Sequence, residues 1–350
     1  MKLVPGKVAV VGAGSWGTAV ASIAAGRTPT VLWARRPQLA EEITEKHRNP
    51  SYLADFLLPE SLMATASLEE AVGDADVVVM AVPSHGFRDI LGTAVPWLPD
   101  GVPVLSLTKG LEQDGLKRMT EVVAEVAPGH PTGVLTGPNL AQEIMAGQPA
   151  ASVVATTDDS LSAELQQLLR TDVFRVYTNP DVVGCEVAGA LKNVMAIASG
   201  MADGMGFGDN TRAALVTRGL AELTRLGVAL GGDPLTFSGL AGMGDLVATC
   251  ISRQSRNRYV GEELGKGRTI EEIVAEMNMV AEGVKTSRAA LELARRVGVE
   301  MPIAEQVVAV LYEGRTAAEV IPALMRREAK PELHGLAREA RPDEPGLARD

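Results

Sequence analysis

Apolar and polar positions follow two rhythms in the first half of the chain. Short, nearly unbroken apolar runs alternate with stretches in which apolar side chains recur at every third or fourth position. The unbroken runs predict buried strands at Val8–Val11, Thr30–Ala34, Met63–Ala66, Val77–Val82, Val104–Leu107, Gly133–Leu135, Ser152–Ala155 and Phe174–Tyr177. The periodic stretches predict helices at Arg36–Lys46, Leu68–Gly73, His85–Ala94, Gly115–Ala127 and Ser160–Arg170. Strands and helices alternating at this spacing imply βαβ units and a mainly parallel sheet, an α/β fold.

The rhythm changes near Pro180. From Asp181 to Arg326 the pattern reads almost wholly as helix, interrupted by glycine-rich turns at Gly204–Gly208, Gly231–Pro234 and Gly239–Gly244. Asp181–Met201 is expected to be a long helix joining the two parts. This predicts a sheet domain over residues 1–180 and an all-helical domain over 181–328. A final segment, 329–350, is rich in Pro, Glu, Arg and Asp without periodicity and reads as disordered.

Composition narrows the class. Apolar residues make up 46% of the 350 but aromatics only 3%, so the core must be built of Ala, Val, Leu, Ile and Met. A formal charge of −11 argues against a general nucleic-acid or anionic-membrane surface. Cations that serve anionic ligands must therefore be clustered locally. The two cysteines, Cys185 and Cys250, have no metal-ligand spacing, and a reducing, cytoplasmic setting fits them; no metal is expected. The apolar start, Leu3–Val11, reads as a first strand rather than a leader. No run is read as reaching the length of a membrane helix, so a soluble protein without a membrane span is expected.

The first candidate site lies where the first strand meets the first helix. Gly12-Ala13-Gly14-Ser15-Trp16-Gly17 follows Val8–Val11 and opens an alanine-rich helical segment. Strand, tight glycine turn and helix, in that order, point to a dinucleotide site; a plain βα turn is the alternative. Gly12 makes the turn, Gly14 lets a pyrophosphate approach, and Gly17 lets the helix lie close to the strand. The second strand ends in Arg35-Arg36, with no acid there to hold ribose hydroxyls. Two arginines suit the 2′-phosphate of NADP, which favours NADP(H) with NAD(H) still open; a solvated pair is the alternative.

Further candidates lie downstream. Lys109, after the strand ending in Ser106-Leu107, is either a surface lysine beside a turn or a cation placed for a phosphate or substrate oxygen. Gly137-Pro138-Asn139-Leu140-Ala141 closes a strand and opens a helix, offering free N–H groups or simply an ordinary helix start. On the joining helix, Gly189, Lys192, Asn193 and Ala196 share a face. Small residues beside a lysine and an amide leave room for a ligand, and Lys192 suits acid–base work if burial or a neighbouring cation lowers its pKa. An exposed helix lysine is the alternative. Asp245, after Gly239-Leu240-Ala241-Gly242-Met243-Gly244, is a helix cap, a partner for Lys192, or both. Ser252-Arg253-Gln254-Ser255-Arg256-Asn257-Arg258 offers arginine forks and a helix start to a phosphate, or is a solvated charge run.

In order along Lys7–Gly314, the segments GAGSWGTA, LTKGLE, LTGPNLAQEI, GALKNVMAIASG, GLAGMGDL, SRNR and VAEGVKT resemble the bacterial NAD(P)-dependent glycerol-3-phosphate dehydrogenases. The resemblance implies an N-terminal Rossmann-type sheet domain followed by a helical domain, with the active site between them. It implies reduction of dihydroxyacetone phosphate to sn-glycerol 3-phosphate, the precursor of the phospholipid backbone, and a homodimer. It makes Lys192 the proton-transferring residue. Lys109, Gly137, Asn139, Asn193, Asp245, Ser255, Arg256 and Asn257 then line the substrate. Ser15, Trp16, Arg35, Arg36, Lys109, Ala141, Arg256, Val280 and Glu282 meet the cofactor. Two positions depart from the usual pattern: Asn139 replaces Ser or Thr, and Trp16 replaces a smaller aromatic. Two competing readings remain: a related β-hydroxyacid-type dehydrogenase acting on a carboxylate, and a non-catalytic NAD(P)H sensor.

Overall fold

The computed structural model describes residues 5–277, 281–332, 334 and 335. Eight strands form one sheet: β1 (Val8–Val11), β2 (Thr30–Trp33), β3 (Leu62–Thr65), β4 (Val77–Met80), β5 (Val104–Ser106), β6 (Thr132–Thr136), β7 (Ala150–Ala155) and β8 (Phe174–Asn179). Between them run α1 (Ser15–Ala25), α2 (Pro37–Lys46), α3 (Leu68–Val72), α4 (Ser84–Ala94), α5 (Met119–Val126), α6 (Ala141–Met145) and α7 (Asp159–Leu169). The strand order is β3-β2-β1-β4-β5-β6-β7-β8, reversing direction across β1 and β4. Neighbours are parallel except β6 and β7. The connection there carries only the five-residue α6, too short to return the chain to the far edge of the sheet, so β7 enters antiparallel.

The central strands β1, β4 and β5 are buried on both faces, which is why they read as unbroken apolar runs, whereas the edge strand β8 alternates buried and exposed residues. Val8 and Val10 of β1 pack with Val20, Ala21 and Ala24 of α1 and with Leu165 and Leu168 of α7. Ala9 and Val11 face the opposite way, into a layer built from Phe87 and Leu91 of α4 and Met119, Val122 and Val123 of α5. One predicted helix starts later than expected. Over Gly115–Arg118 the chain is not helical, because Leu116 sits at φ 55° and the Glu112 amide donates to the Lys117 carbonyl, closing a loop. The helix begins at Met119, where Glu121 in its first turn accepts from the Arg118 amide at 2.8 Å and pairs with the Arg118 guanidinium at 3.0 Å.

Beyond the sheet the chain is helical: α8 (Val182–Gly204), α9 (Asp209–Ala229), α10 (Pro234–Ser238), α11 (Asp245–Ile251), α12 (Arg256–Gly265), α13 (Ile270–Glu276), α14 (Glu282–Arg296), α15 (Pro302–Tyr312) and α16 (Ala317–Met325). The glycine-rich turn expected at Gly239–Gly244 is a π-helical turn over Leu240–Gly244 that runs directly into α11. At the centre lies α8, wrapped by the others. Gly200 of α8 and Gly261 of α12 let the two backbones touch, since a Cβ at Gly261 would overlap the Ile197 carbonyl.

The expectation that no run reaches membrane length needs correction. Val182–Gly204 spans 23 residues with a mean hydropathy of 1.3, long and apolar enough to cross a bilayer. Its apolar character serves a different purpose, because 89% of that window is buried against neighbouring helices. At the C-terminal end, Lys330 pairs with Glu300 at 2.7 Å and the Glu332 carbonyl accepts from Arg218 at 2.9 Å. The rest of the segment expected to be disordered, residue 333 and residues 336–350, lies outside the described residues. Cys185 and Cys250 are both buried and unpaired.

Candidate active site

The glycine turn follows β1 directly. Gly12 adopts φ 121°, where a Cβ would stand 2.5 Å from the Ala81 carbonyl oxygen beyond β4. At Gly17 a Cβ would overlap the Gly12 carbonyl, so both positions exclude a side chain. Gly14, by contrast, faces open space: nothing lies within 4 Å of where its Cβ would be. As N-cap of α1 it offers no side chain to the first helical N–H groups, which are left free to meet an anion.

Asn49 holds this turn from below. It is fully buried, and its Nδ2 donates to the Ala13 carbonyl at 2.9 Å and to Thr18 Oγ1 at 2.8 Å. Ser15 Oγ donates to the Tyr52 carbonyl at 3.3 Å. The Trp16 ring meets Phe174 edge-on at 6.2 Å, and its buried Nε1 has no hydrogen-bond partner among the described residues. Arg35 and Arg36 are both exposed just past β2, and Arg36 Nη2 donates to Ser51 Oγ at 2.7 Å.

Along the same edge of the sheet, Glu282 at the first position of α14 accepts from Ser84 Oγ at 2.6 Å and from the Ser84 amide at 3.3 Å. Arg256, exposed at the start of α12, lies within electrostatic reach of Glu282 and Tyr52. Gly110 is pressed against this pair, with a Cβ position 2.9 Å from Glu282 Oε2. Ala141 sits at the first position of α6. Val280 lies outside the described residues.

One residue before Gly110, the lysines converge. Lys109 Nζ donates to the Gly137 carbonyl at 2.7 Å and pairs with Asp245 Oδ2 at 2.5 Å. The other oxygen of that carboxylate, Oδ1, lies 3.0 Å from Lys192 Nζ. Lys192 also donates to Thr249 Oγ1 at 2.7 Å, and Thr249 returns its hydroxyl to the Asp245 carbonyl at 2.6 Å. A single carboxylate, 2% exposed, thus spans two ammonium groups. Burial and the Lys192 charge push the Lys109 pKa down, Asp245 pulls it back, and the balance is about 8. Burial is the largest of these influences.

Lys192 is buried, not an exposed helix lysine, with 5% of its surface accessible. Asp245 does not cap α11: Gly244 is the cap residue, and the carboxylate is spent on the lysines instead. Asn193 Nδ2 donates to the Lys109 carbonyl at 3.0 Å, and Asn193 Oδ1 accepts from Asn257 Nδ2 at 2.9 Å. The Gly283 amide donates to Asn257 Oδ1 at 2.9 Å, which ties α8, α12 and α14 together. Asn139 Nδ2 donates to Ser152 Oγ at 3.1 Å, while its buried Oδ1 and Thr136 Oγ1 have no partner among the described residues.

The arginine cluster divides. Ser255 caps α12, and Arg256 remains exposed. Arg258 is unavailable to a phosphate, because Asp203 binds it at 2.7 Å and Glu262 at 3.2 Å. Sequence reasoning missed Thr249 and Ser84. Thr249 carried a usable signal, since it stands four residues after Asp245 and so on the same face of a helix. Ser84 had only its place just past the Val77–Val82 strand, at the sheet edge where ligands gather, and nothing pointed to its partner 198 residues away.

Residues 7–162 match the family described as NAD-dependent glycerol-3-phosphate dehydrogenase N-terminus, and residues 181–322 the corresponding C-terminus. The chain is 56% identical to a glycerol-3-phosphate dehydrogenase [NAD(P)+] of Sphingopyxis alaskensis over 328 residues, 94% of this chain and 98% of that one. It is 53% identical to one of Mycobacterium avium over 330 residues, 94% and 97% of the two chains. The crystal structure of a glycerol-3-phosphate dehydrogenase from Coxiella burnetii superposes with a TM-score of 0.88 at 36% identity, covering 92% of this chain and 99% of that chain.

Proposed function

Since the chain belongs to the NAD-dependent glycerol-3-phosphate dehydrogenase family, we propose that it catalyses the reversible NAD(P)H-dependent reduction of dihydroxyacetone phosphate to sn-glycerol 3-phosphate, supplying glycerophospholipid synthesis. The observation that carries the reading is the Lys109–Asp245–Lys192 bridge at the sheet edge that also bears the glycine turn. A buried pair of ammonium groups around one carboxylate leaves net positive charge, which suits an oxygen that gains negative charge during reduction.

The residues fit a dinucleotide. The uncapped start of α1, the open approach at Gly14 and the unpartnered Trp16 Nε1 provide room and donors for it. Ala141, Arg256 and Glu282 are the further groups proposed to border it, and exposed Arg35 and Arg36 favour the 2′-phosphate of NADP. When bound, the cofactor supplies the hydride. Lys192 holds the proton destined for the substrate oxygen; Thr249 takes one of its hydrogen bonds and Asp245 lies beside it as an ion pair. Lys109 and Asn193 add positive charge and a donor beside it. Gly137, Asn139, Ser255, Arg256 and Asn257 are the groups proposed to hold the substrate and its phosphate, fixing the carbonyl for attack. A homodimer working in the cytoplasm completes the reading.

Oxidation of NADPH and NADH, followed at 340 nm, tests it directly. We expect rapid turnover with dihydroxyacetone phosphate, a preference for NADPH, and negligible turnover with 3-oxo acids. Faster reduction of a 3-oxo acid would transfer the chain to the carboxylate-reducing relatives, and no turnover with any carbonyl would favour a sensor. For Arg256→Ala we expect KM for the triose phosphate to rise roughly 10- to 100-fold, the effect of losing a charge-assisted bond worth about 1.5–3 kcal/mol. An unchanged KM would remove Arg256 from the phosphate site.

A further inference from the structure

We propose that Glu186 and Arg118 form a latch that positions α8, and with it Lys192, against the loop carrying Lys109. The proposal rests on the dehydrogenase reading above and adds positioning residues to it. Glu186 stands in the second turn of α8, six residues before Lys192, and only 7% of its surface is accessible. Its carboxylate reaches out of the helical part of the chain to the start of α5. There it accepts from Arg118 Nη1 at 2.7 Å, from the Thr120 amide at 2.9 Å and from Thr120 Oγ1 at 2.5 Å. A carboxylate this deeply buried is tolerated only because every approach is answered by a donor. Neither it nor Arg118 touches the Lys109–Asp245–Lys192 group.

The latch is the first of three contacts along one face of α8. Gly189, three residues on, is the second: a Cβ there would stand 2.9 Å from Thr136 Oγ1 and 3.7 Å from Lys109 Cγ. Asn193, four residues further, is the third, through its bond to the Lys109 carbonyl. Residues spaced by three and four lie on one side of a helix, so these contacts form a seam between α8 and the ends of β5 and β6. Lys192 sits beside the seam and faces Asp245 and Thr249 on α11. With Glu186 released, the seam keeps Gly189, Asn193 and the apolar packing of Cys185 near Val134 and Val153 and of Ala190 near Leu111 and Leu116, but loses its one buried charged tie. The first half of α8 can then shift relative to Lys109, and about 1 Å of misplacement is enough to slow an oriented reaction by up to roughly 100-fold.

The test uses the full-length protein and the variants Glu186→Gln, Arg118→Met, the double variant and Arg118→Lys. We expect kcat with dihydroxyacetone phosphate and NADPH to fall roughly 10- to 100-fold in Glu186→Gln and in Arg118→Met, the scale set by misplacement. NADPH affinity should stay within about twofold, because the glycine turn is untouched. The double variant should be no worse than the poorer single one, and Arg118→Lys should recover most of the loss. The alkaline limb of the kcat/KM profile should move up, since a loosened seam admits water to Lys109. A purely structural pair would lower the melting temperature and leave kcat and the profile where they were, which would overturn the proposal. So would independent, additive losses. If the parent protein fails to reduce the triose phosphate, the dehydrogenase reading has failed. Faster deuterium exchange at the α8 amides of residues 186–193 in Glu186→Gln still reads the latch in that case, and unchanged exchange would refute it.

Discussion

Replacing Lys192 by alanine lowers kcat for triose phosphate reduction by roughly 10²- to 10⁴-fold, the usual contribution of a positioned proton donor, while NADPH affinity changes little. The asymmetry follows from where the side chain ends. Its ammonium lies 3.0 Å from Asp245 Oδ1 and 2.7 Å from Thr249 Oγ1, and none of its hydrogen bonds goes to the glycine turn. Truncation removes the proton donor and leaves Asp245 paired with Lys109 alone at 2.5 Å, so the carboxylate is not stranded and the fold should survive. Steady-state rates give kcat, and quenching of protein fluorescence by NADPH gives affinity. Turnover near the parental rate would show that another group carries the proton, Lys109 first among them.

The second large effect is expected for Asp245→Asn. This change keeps the shape of the side chain but withdraws the negative charge that two buried ammonium groups share. Removing one partner from a buried ion pair costs about 3–5 kcal/mol unless a group sheds its charge. Lys109 is the group able to do so. Its pKa is already about 8, pushed down by burial and by Lys192, and Asp245 is what keeps it from falling further. In the Asn variant it must titrate below that value. We therefore expect kcat/KM for reduction to fall by roughly 10²-fold or more, the effect of losing an electrostatic support for developing charge, and its alkaline limb to move below pH 8.

Stability should follow the same titration. A folded-state pKa of about 8 against an ordinary value of 10.5 means that between these values the unfolded chain binds more protons than the folded one. Stability contributed by this group therefore rises with pH across that window and is lowest below it. In Asp245→Asn the rise should begin at lower pH. Urea midpoints measured from pH 6 to 9 for both proteins check this. A limb that stays in place or moves upward would mean that Asp245 does not govern Lys109.

The sheet could be read from the sequence because both faces of its central strands are buried. A strand covered on two sides, as β1, β4 and β5 are, needs apolar residues at every position; at the edge, β8 was legible from its buried Phe174 and Val176 alone, and all eight runs correspond to strands. The start of α5 could not be read. Gly115–Arg118 has helical spacing, but a backbone hydrogen bond and the positive φ of Leu116 hold it as a loop, and neither leaves a hydrophobic pattern. On α8 the long helix itself was read from the sequence, but its membrane-like length and apolarity were not. Its composition resembles a membrane helix because being surrounded by protein and being surrounded by lipid select the same side chains.

Candidate site residues were readable one at a time, as residue types at strand ends and helix starts. Their pairings were not. Lys109 and Asp245 are 136 residues apart, and Ser84 and Glu282 are 198 apart. Hydrophobic rhythm fixes elements over a few turns, and nothing local records which distant loop will face which. Arg256 and Arg258 look alike in the run Ser255–Arg258, yet Asp203 on α8 claims one and leaves the other exposed.

The amino-acid order by itself thus determined the strands, the glycine turn and the motifs of the family, since each depends on neighbours within a helix turn or a strand. Only the folded chain decided that one carboxylate would serve two lysines, that Asp245 would pair rather than cap, and that Glu186 would reach across to Arg118. Those outcomes depend on which elements packing brings within about 3 Å, the range over which hydrogen bonds act, and on how completely water is then excluded.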